Sequence, residues 1–303
     1  MSTDDIQTTR TTLRFEDADI PVFACPAEAP RLTVLMFGAI WSITPHIEDL
    51  CCRLASAGFG AIAPCLFRGE GIPSRAAAPE ELAKTFLAFD DRRCIRDLRA
   101  VLHAARRGEF MPAMRGFAAG GIVPLGFCLG GRFAHYIGAL DGDCAGIVNF
   151  YGRLRFGRQE TKPFLPAEVT GLVRNPYLGH FAETDPMIPL EDVEELRAAL
   201  DARDVPNRII VYAGARHGFV DPERPTEHHP DAARRAWDAT IEFLREREQA
   251  LRAADAAAQP SLAVDATTPS SLAADAAGQP SLAADATTPS SLAAEIMNTE
   301  PMR

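Results

Sequence analysis

The chain has 303 residues, of which 47% are hydrophobic and 24% are charged, and its formal net charge is −10. This is the composition of an ordinary globular protein, so a collagen, a wholly disordered chain and a small disulfide-rich scaffold are excluded. The acidic balance also argues against general nucleic-acid binding, which needs a basic surface.

Residues 1–250 alternate between short apolar runs and amphipathic segments. The apolar runs predict buried strands at residues 32–37, 61–63, 122–127, 146–150, 177–181 and 208–212. The amphipathic segments predict helices at residues 47–57, 92–106, 131–140, 190–201 and 231–247. Weaker patterns at residues 12–15 and 21–24 indicate an N-terminal antiparallel hairpin. Strands that alternate with helices predict an α/β fold, with a mostly parallel central sheet and helices on both faces.

The composition changes beyond residue 250, where a ten-residue repeat follows. Each repeat offers roughly one leucine and no aromatic residue, too little apolar surface to offset the entropy lost on ordering a chain. Prolines recur at Pro260, Pro269, Pro280 and Pro289. We therefore predict a folded domain over residues 1–250 and a disordered Ala/Ser/Pro/Asp repeat tail over residues 251–303, which the folded domain does not need.

The chain carries no pattern of export or membrane insertion. Its first ten residues contain two aspartates and no apolar stretch, which is unlike a secretory signal. No apolar run reaches the roughly 18 residues that a membrane-spanning helix needs. The seven cysteines are an odd number and are more consistent with reduced thiols than with disulfides. We therefore expect a cytoplasmic protein.

The segment Gly126-Phe-Cys128-Leu-Gly130-Gly131 has the pattern of a nucleophile elbow, with cysteine in the serine position. Glycines let the preceding strand and the following helix pass closely, and the amides at the start of a helix favour a thiolate and can hold an oxyanion. We therefore predict Cys128 as the nucleophile and the Leu129 amide as an oxyanion donor. The alternative is that Cys128 is a buried core cysteine before a glycine-rich turn. We interpret the other six cysteines as structural residues.

An elbow nucleophile is followed along the chain by an acid and then by a histidine, each beyond a later strand. Asp185 and His217 occur in that order, and both would lie at the carboxyl edge of the sheet. Asp185 would orient His217, and His217 would deprotonate Cys128. The competing acids are Glu183 and Asp192, and the competing histidines are His180, His228 and His229. We expect His180 to be packed within its strand and the other two histidines to be solvated.

No spacing of histidines and acids is typical of a metal site, and no glycine-rich phosphate loop follows the first strand. A nucleophile, a base and an oxyanion hole account for acyl transfer, so the sequence predicts neither metal nor cofactor. Four aromatic residues flank the predicted site and are candidates for an apolar substrate pocket, with core packing as the alternative: Trp41, Phe67, Tyr151 and Phe219.

Over residues 10–247 the chain resembles the dienelactone hydrolase family of the α/β-hydrolase superfamily. The matching segments are residues 45–47, 58–64, 66–67, 126–131, 150–152, 179–189 and 216–219. The resemblance implies the α/β-hydrolase fold and carboxymethylenebutenolidase-like hydrolysis of an ester or lactone through an acyl-cysteine intermediate. It implies the triad Cys128, Asp185 and His217, and it implies a second oxyanion amide at Ile40.

The chain departs from the family pattern at two positions close to the predicted site. Family members usually carry a glutamate at the position where alignment on Pro45-His-Ile places Ala39. They often carry an arginine shortly after the catalytic histidine, where this chain has Asp221. The resemblance gives the glutamate a part in forming the thiolate and the arginine a part in holding a substrate carboxylate. Their absence predicts a Cys128 that is partly ionised without substrate, and a preference for uncharged esters over anionic lactones.

The leading hypothesis is therefore a cytoplasmic hydrolase of small esters or lactones, monomeric or homodimeric, with no nucleic-acid or membrane partner. A thioesterase or broad carboxylesterase on the same scaffold is the alternative among enzymes. A catalytically silent relative that acts as a binding or scaffolding protein is the alternative from another class. Ala39 discriminates between an enzyme and a silent relative. If catalysis requires a glutamate at this position, the silent relative is favoured; if His217 activates Cys128 without it, the enzyme is favoured.

Overall fold

A mostly parallel sheet organises the chain. A computed structural model describes residues 8–28, 30–108 and 121–258, and eight strands lie within them. They are β1 (Thr9–Phe15), β2 (Ala18–Cys25), β3 (Thr33–Phe37), β4 (Gly60–Pro64), β5 (Ile122–Phe127), β6 (Ile147–Phe150), β7 (Tyr177–Ala182) and β8 (Asn207–Tyr212). Their order across the sheet is β1-β2-β4-β3-β5-β6-β7-β8. Strands β3 to β8 run parallel, while β1 and β2 form an antiparallel hairpin at one edge.

Helices connect the parallel strands, as crossover connections require. They are α1 (Pro45–Ser56), α2 (Pro79–Ala88), α3 (Asp91–Arg106), α4 (Leu129–Leu140), α5 (Pro166–Val169) and α6 (Leu190–Asp201), with a 3₁₀ turn at Thr170–Leu172 after α5. A further helix, α7 (Pro230–Ala258), follows the last strand. Among these described helices none is long and apolar enough to cross a membrane.

Burial explains why the central strands were readable from sequence. Every residue of β3, β4, β5, β6 and β7 is buried, so each strand is a mostly apolar run of the kind found in parallel sheets. Strand β1, at the edge, instead alternates between half-buried and exposed residues. The predicted strands, the hairpin, the five predicted helices and the α/β class are confirmed, with ends that shift by a few residues except at the end of the last helix.

Two differences from the predicted elements have physical causes. The sequence prediction omitted α2 and α5; α2 has no buried residue, and α5 is four residues long. Helix α7 was predicted to end at residue 247 but continues to Ala258, because residues 248–258 are rich in alanine and the next proline is Pro260. The first eight residues of the predicted tail are thus helical, and its remainder, residues 259–303, lies outside the described residues.

Candidate active site

Cys128 lies at a sharp turn between β5 and α4. Its backbone dihedrals are φ 54° and ψ −113°, a combination that non-glycine residues rarely adopt. The turn is held on both sides, since the Cys128 amide donates to the Phe150 carbonyl at 3.0 Å and the Cys128 carbonyl accepts from the Arg132 amide at 3.2 Å. A strained residue held in this way at the start of a helix has the geometry of a nucleophile elbow.

The glycines of the elbow provide the space that this turn needs. A Cβ at Gly126 would lie 2.1 Å from the Gly130 carbonyl oxygen, and a Cβ at Gly130 would lie 2.1 Å from that of Phe37. A Cβ at Gly131 would lie 2.6 Å from Asn149 Oδ1. Because Cβ atoms essentially never approach other atoms more closely than 3.0 Å, a side chain at these positions would push α4 away from the sheet.

Strands β7 and β8 bring an acid and a histidine to the same edge of the sheet as Cys128. His217 Nδ1 donates a hydrogen bond to Asp185 Oδ2 at 2.6 Å, and Asp185 Oδ1 accepts from the Met187 amide at 2.8 Å. Both side chains are buried. His217 Nε2 has no hydrogen-bond partner among the described residues, and the Cys128 thiol interacts with the His217 side chain. The structure thus brings Cys128, His217 and Asp185 together, with His217 between the other two as predicted.

The charges around Cys128 favour its ionised form. Burial by itself would raise the pKa of the thiol, but His217, the Leu129 amide and Arg224 together lower it below its ordinary value. Burial likewise opposes the charge on His217, yet the Cys128 thiolate and Asp185 raise its pKa to about 9. The two shifts share one cause, the interaction of Cys128 with His217, and both favour the pair of thiolate and imidazolium, which is the reactive state of a cysteine nucleophile.

The competing residues occupy other environments. His180 is fully buried within β7, where Nδ1 lies 2.9 Å from the Tyr212 hydroxyl and Nε2 lies 3.1 Å from Thr240 Oγ1, so its predicted packing role is confirmed. Glu183 accepts from the Gly214 amide at 2.8 Å. Asp192 lies on α6, where it faces Arg155 at 3.6 Å.

His228 and His229, predicted to be solvated, are half-buried, so both remain partly exposed to solvent. The His229 ring accepts a hydrogen bond from the Ala232 amide at 3.3 Å and so caps the first turn of α7. Its role is therefore to begin a helix, a function that the sequence prediction did not assign to it.

A cavity of about 560 Å³ opens above Cys128 and His217. Leu129 and Ile40, the two predicted oxyanion residues, line it, and so does Ala39. Ala39 and Ile40 belong to the tight turn after β3, which the Ser42 amide closes by donating to the Ala39 carbonyl at 2.7 Å. The turn with Ala39 and Ile40 therefore shares one cavity with Cys128, because the neighbouring parallel strands β3 and β5 both end there.

Of the four aromatic residues predicted for the pocket, Trp41 and Tyr151 line the cavity, while Phe67 and Phe219 do not. Phe67 is buried against the ring of Phe89, at 4.8 Å between centroids. Phe219 is fully buried behind Tyr151, with ring centroids 5.4 Å apart. Both are core residues, because the loops that carry them turn these side chains inward, and a sequence does not reveal which way a loop residue faces.

The sequence prediction missed the wall of the cavity that α2 forms. Leu82, Phe86 and Leu87 of this helix line the cavity, and Phe86 packs edge-on against Phe156 at 5.8 Å. The spacing of Leu82 and Phe86, four residues apart, is the signal that could have identified an apolar helix face. The helix was overlooked because its apolar face covers the cavity and leaves no residue buried.

The sequence prediction also missed the positive charges of the cavity. Four arginines line it: Arg132, Arg153, Arg216 and Arg224. Arg224 stacks over the ring of Trp41 at 5.3 Å, and Arg75 stacks over it at 4.4 Å. The absent arginine after His217 therefore does not leave the cavity without cations. The expected preference for uncharged esters stays a prediction.

A model of the dienelactone hydrolase family matches residues 21–247. The chain belongs to this family. Membership makes the protein a hydrolase of carboxylic esters or lactones. Among the described residues no group of three or more His, Cys, Asp and Glu side chains is placed to hold a metal ion.

Two other comparisons agree with dienelactone hydrolase membership. A protein of Escherichia coli (strain K12) named "Putative carboxymethylenebutenolidase" is 31% identical over 73% of this chain and 79% of its own. The crystal structure of a "Putative Dienelactone Hydrolase" from Klebsiella pneumoniae subsp. pneumoniae superposes with a TM-score of 0.69 at 28% identity, covering 78% of this chain and 97% of the other. An esterase from Thermogutta terrifontis shares the fold, with a TM-score of 0.60 at 17% identity over 81% of this chain and 96% of its own.

The position of Ala39 in the cavity wall makes a testable prediction for Ala39→Glu. A carboxylate beside Cys128 disfavours the thiolate by like-charge repulsion, so the substitution should raise the pKa of Cys128 and slow its alkylation at neutral pH. A tenfold fall in the thiolate-to-thiol ratio corresponds to about 1.4 kcal/mol. The pH dependence of alkylation in the wild type and the variant measures the effect. An unmoved profile would mean that residue 39 does not face the nucleophile; Ala39→Gln is the uncharged control.

Proposed function

We propose that the protein hydrolyses small esters or lactones through an acyl-cysteine intermediate, with Cys128 as nucleophile, His217 as acid and base, and Asp185 as the group that orients His217. The observation that carries the proposal is the contact between His217 and Asp185 beside a cysteine held in a strained elbow. The lowered pKa of Cys128 and the raised pKa of His217 support it.

The reaction would begin with attack of the Cys128 thiolate on the substrate carbonyl carbon. The negative charge would move to the carbonyl oxygen, where the amides of Leu129 and Ile40 would stabilise it. Collapse of the tetrahedral intermediate would break the ester bond, and the imidazolium of His217 would give its proton to the leaving alkoxide. For a lactone the released hydroxyl would stay attached to the acyl group.

The second half would return the enzyme to its starting state. Neutral His217 would take a proton from a water molecule as that water attacks the thioester carbonyl, and the Cys128 thiolate would leave with the bond electrons. Asp185 would keep the Nδ1 proton in place, so that Nε2 faces the reacting groups in both halves. The products are the carboxylic acid and the alcohol, and no redox step or cofactor enters the balance.

Turnover of a panel of aryl esters, lactones and thioesters by the purified protein tests the proposal, with Cys128→Ala as the matched control. We expect hydrolysis by the wild type, none above background by the variant, and an acyl adduct on the Cys128 peptide during turnover. Absence of turnover across the panel would favour a silent binding protein. A preference for thioesters would favour the thioesterase alternative, and equal turnover by Cys128→Ala would exclude Cys128 as nucleophile.

The cytoplasmic location remains our inference from composition. It is consistent with the seven cysteines, all of which lie in the described part of the chain and are free thiols.

A further inference from the structure

Two thiols lie in contact where β2 packs against α1. The Sγ atoms of Cys25, the last residue of β2, and of Cys52, on α1, are 3.1 Å apart. A disulfide bond is about 2.05 Å long, so an approach of about 1 Å would join the two sulfurs. Neither of these two described residues lines the cavity above Cys128. The pair can therefore form a disulfide without involving the candidate active site.

The third thiol of this region, that of Cys51, points elsewhere. Cys51 is fully buried, and its Sγ donates to Met36 Sδ of β3 at 3.7 Å. Successive side chains on a helix point about 100° apart, so α1 directs Cys51 toward β3 and Cys52 toward Cys25. A bond between Cys51 and Cys52 would have to join side chains that the helix holds apart. Cys25 is therefore the partner that the geometry gives to Cys52.

Exposure gives the two thiols different roles toward an oxidant. Cys52 is partly exposed, whereas Cys25 is fully buried. Burial, the contact with Cys52 and the nearby charge of Glu48 all raise the pKa of Cys25 above the ordinary thiol value. Because the thiolate is the reactive form, Cys25 is not the thiol that an oxidant from solvent meets first. Cys52 is the accessible thiol, and Cys25 lies behind it as the thiol that can resolve an oxidised Cys52.

We propose that Cys25 and Cys52 form an oxidative modification site, at which hydrogen peroxide converts the two thiols into a disulfide that ties β2 to α1. The Cys52 sulfur would attack one peroxide oxygen and break the O–O bond, which gives a sulfenic acid and water. The Cys25 sulfur would then attack Cys52 Sγ and break its S–O bond, and the departing hydroxide would leave as water with the Cys25 proton. The pair loses two electrons, which reduce the peroxide to two water molecules. This inference does not depend on the proposed function.

The disulfide should stabilise the folded domain. Cys25 and Cys52 are 27 positions apart, and the segment between them contains β3 and the turn with Ala39 and Ile40. Closing a loop of this length restricts the unfolded chain, so the oxidised protein should melt about 5 to 10 °C above the reduced one. The cross-link would also fix α1, the helix that follows the turn, to the hairpin edge of the sheet.

Peptide mapping of the full chain tests the proposal. The protein is reduced with dithiothreitol, desalted, treated with hydrogen peroxide, blocked with iodoacetamide under denaturing conditions and digested without reduction. Trypsin separates Cys25, in residues 15–31, from Cys51 and Cys52, in residues 32–53. We expect these two peptides to be recovered as one linked species that dithiothreitol splits. We expect the melting midpoint of the treated protein to rise by about 5 to 10 °C over the reduced form.

Two variants separate this disulfide from other oxidation, each compared with its own reduced form. Cys52→Ser should lose both the linked species and the rise in melting midpoint, and it subtracts any effect of peroxide on Cys128, which it retains. Cys51→Ala should keep both. The inference is overturned if Cys25 and Cys52 are still alkylated after peroxide treatment, if Cys52 is recovered as a sulfinic acid while Cys25 stays a thiol, or if the new bond joins Cys51 to Cys52 within residues 32–53.

Discussion

Replacing Cys128 with alanine is expected to abolish ester hydrolysis, with a fall in kcat on the order of 10⁴- to 10⁶-fold, as for loss of a triad nucleophile. The proposed acyl intermediate has no other site at which to form. Cys128→Ser should retain weak activity, because a hydroxyl is much harder for His217 to deprotonate than a thiol. Steady-state kinetics of the two variants with one aryl ester measures both effects. Cys52→Ala is the matched control, since Cys52 is a partly exposed cysteine outside the cavity.

Limited alkylation of the thiols tests the assignment of Cys128 as the nucleophile by a second measurement. Burial raises the pKa of Cys25, Cys51 and Cys94 above the ordinary thiol value, and it raises that of Cys144 to about 12. The pKa of Cys128 is instead lowered, so its peptide should be labelled first by iodoacetamide, with activity falling in parallel. Early labelling of Cys52 with activity intact would contradict the proposed role of Cys128.

The residues of the candidate site were predictable where their position follows from the end of a strand. Cys128, Asp185 and His217 each come after a fully or largely apolar strand, and parallel strands end at one edge of a sheet. Chain order and the elbow glycines then specify which side chains meet. The sequence also predicted the packing of His180, because it lies inside a strand whose residues are all buried.

The sequence did not reveal which loop and helix side chains face the cavity. Tyr151 adopts φ 40°, which turns its ring toward His217 and places Phe219 behind it. The direction of such a residue depends on tertiary contacts and not on local pattern. Arg132 directly follows the elbow, and a charged residue there predicts an exposed helix face. In the structure it is instead surrounded by its neighbour Phe133 and by two phenylalanines from distant segments, Phe86 and Phe156.

Helix ends show the same limit. Thr44 and Pro45 are residues that favour a helix start, and α1 begins at Pro45, with the Thr44 hydroxyl accepting from the Ile47 amide at 3.4 Å. The end of α7 has no such signal, since alanine-rich sequence is compatible with both helix and tail. Composition therefore distinguishes the repeat tail from the folded domain, but it does not specify the residue at which α7 ends.

Replacing Asp185 with asparagine is expected to lower kcat by about 10²- to 10⁴-fold, the upper figure being that for a serine triad. The asparagine NH₂ would donate to Nδ1, so His217 would carry its proton on Nε2 and could no longer accept one there. Loss of the carboxylate should also lower the pKa of His217 from about 9 toward its ordinary value of 6.5. The imidazolium then loses its proton at lower pH, and the alkaline limb of the rate profile should move down.

Glu183→Gln is the matched control for Asp185→Asn, because Glu183 is two residues away and its carboxylate bonds the Gly214 amide, not His217. It should change kcat by less than about twofold, as surface substitutions away from a site do. A pH-rate profile for each variant separates the two roles of Asp185, since loss of orientation lowers the plateau and loss of charge moves the alkaline limb. If Glu183→Gln lowered the plateau and Asp185→Asn did not, Glu183 would be the acid of the triad, and the 2.6 Å contact between Asp185 and His217 would be structural only.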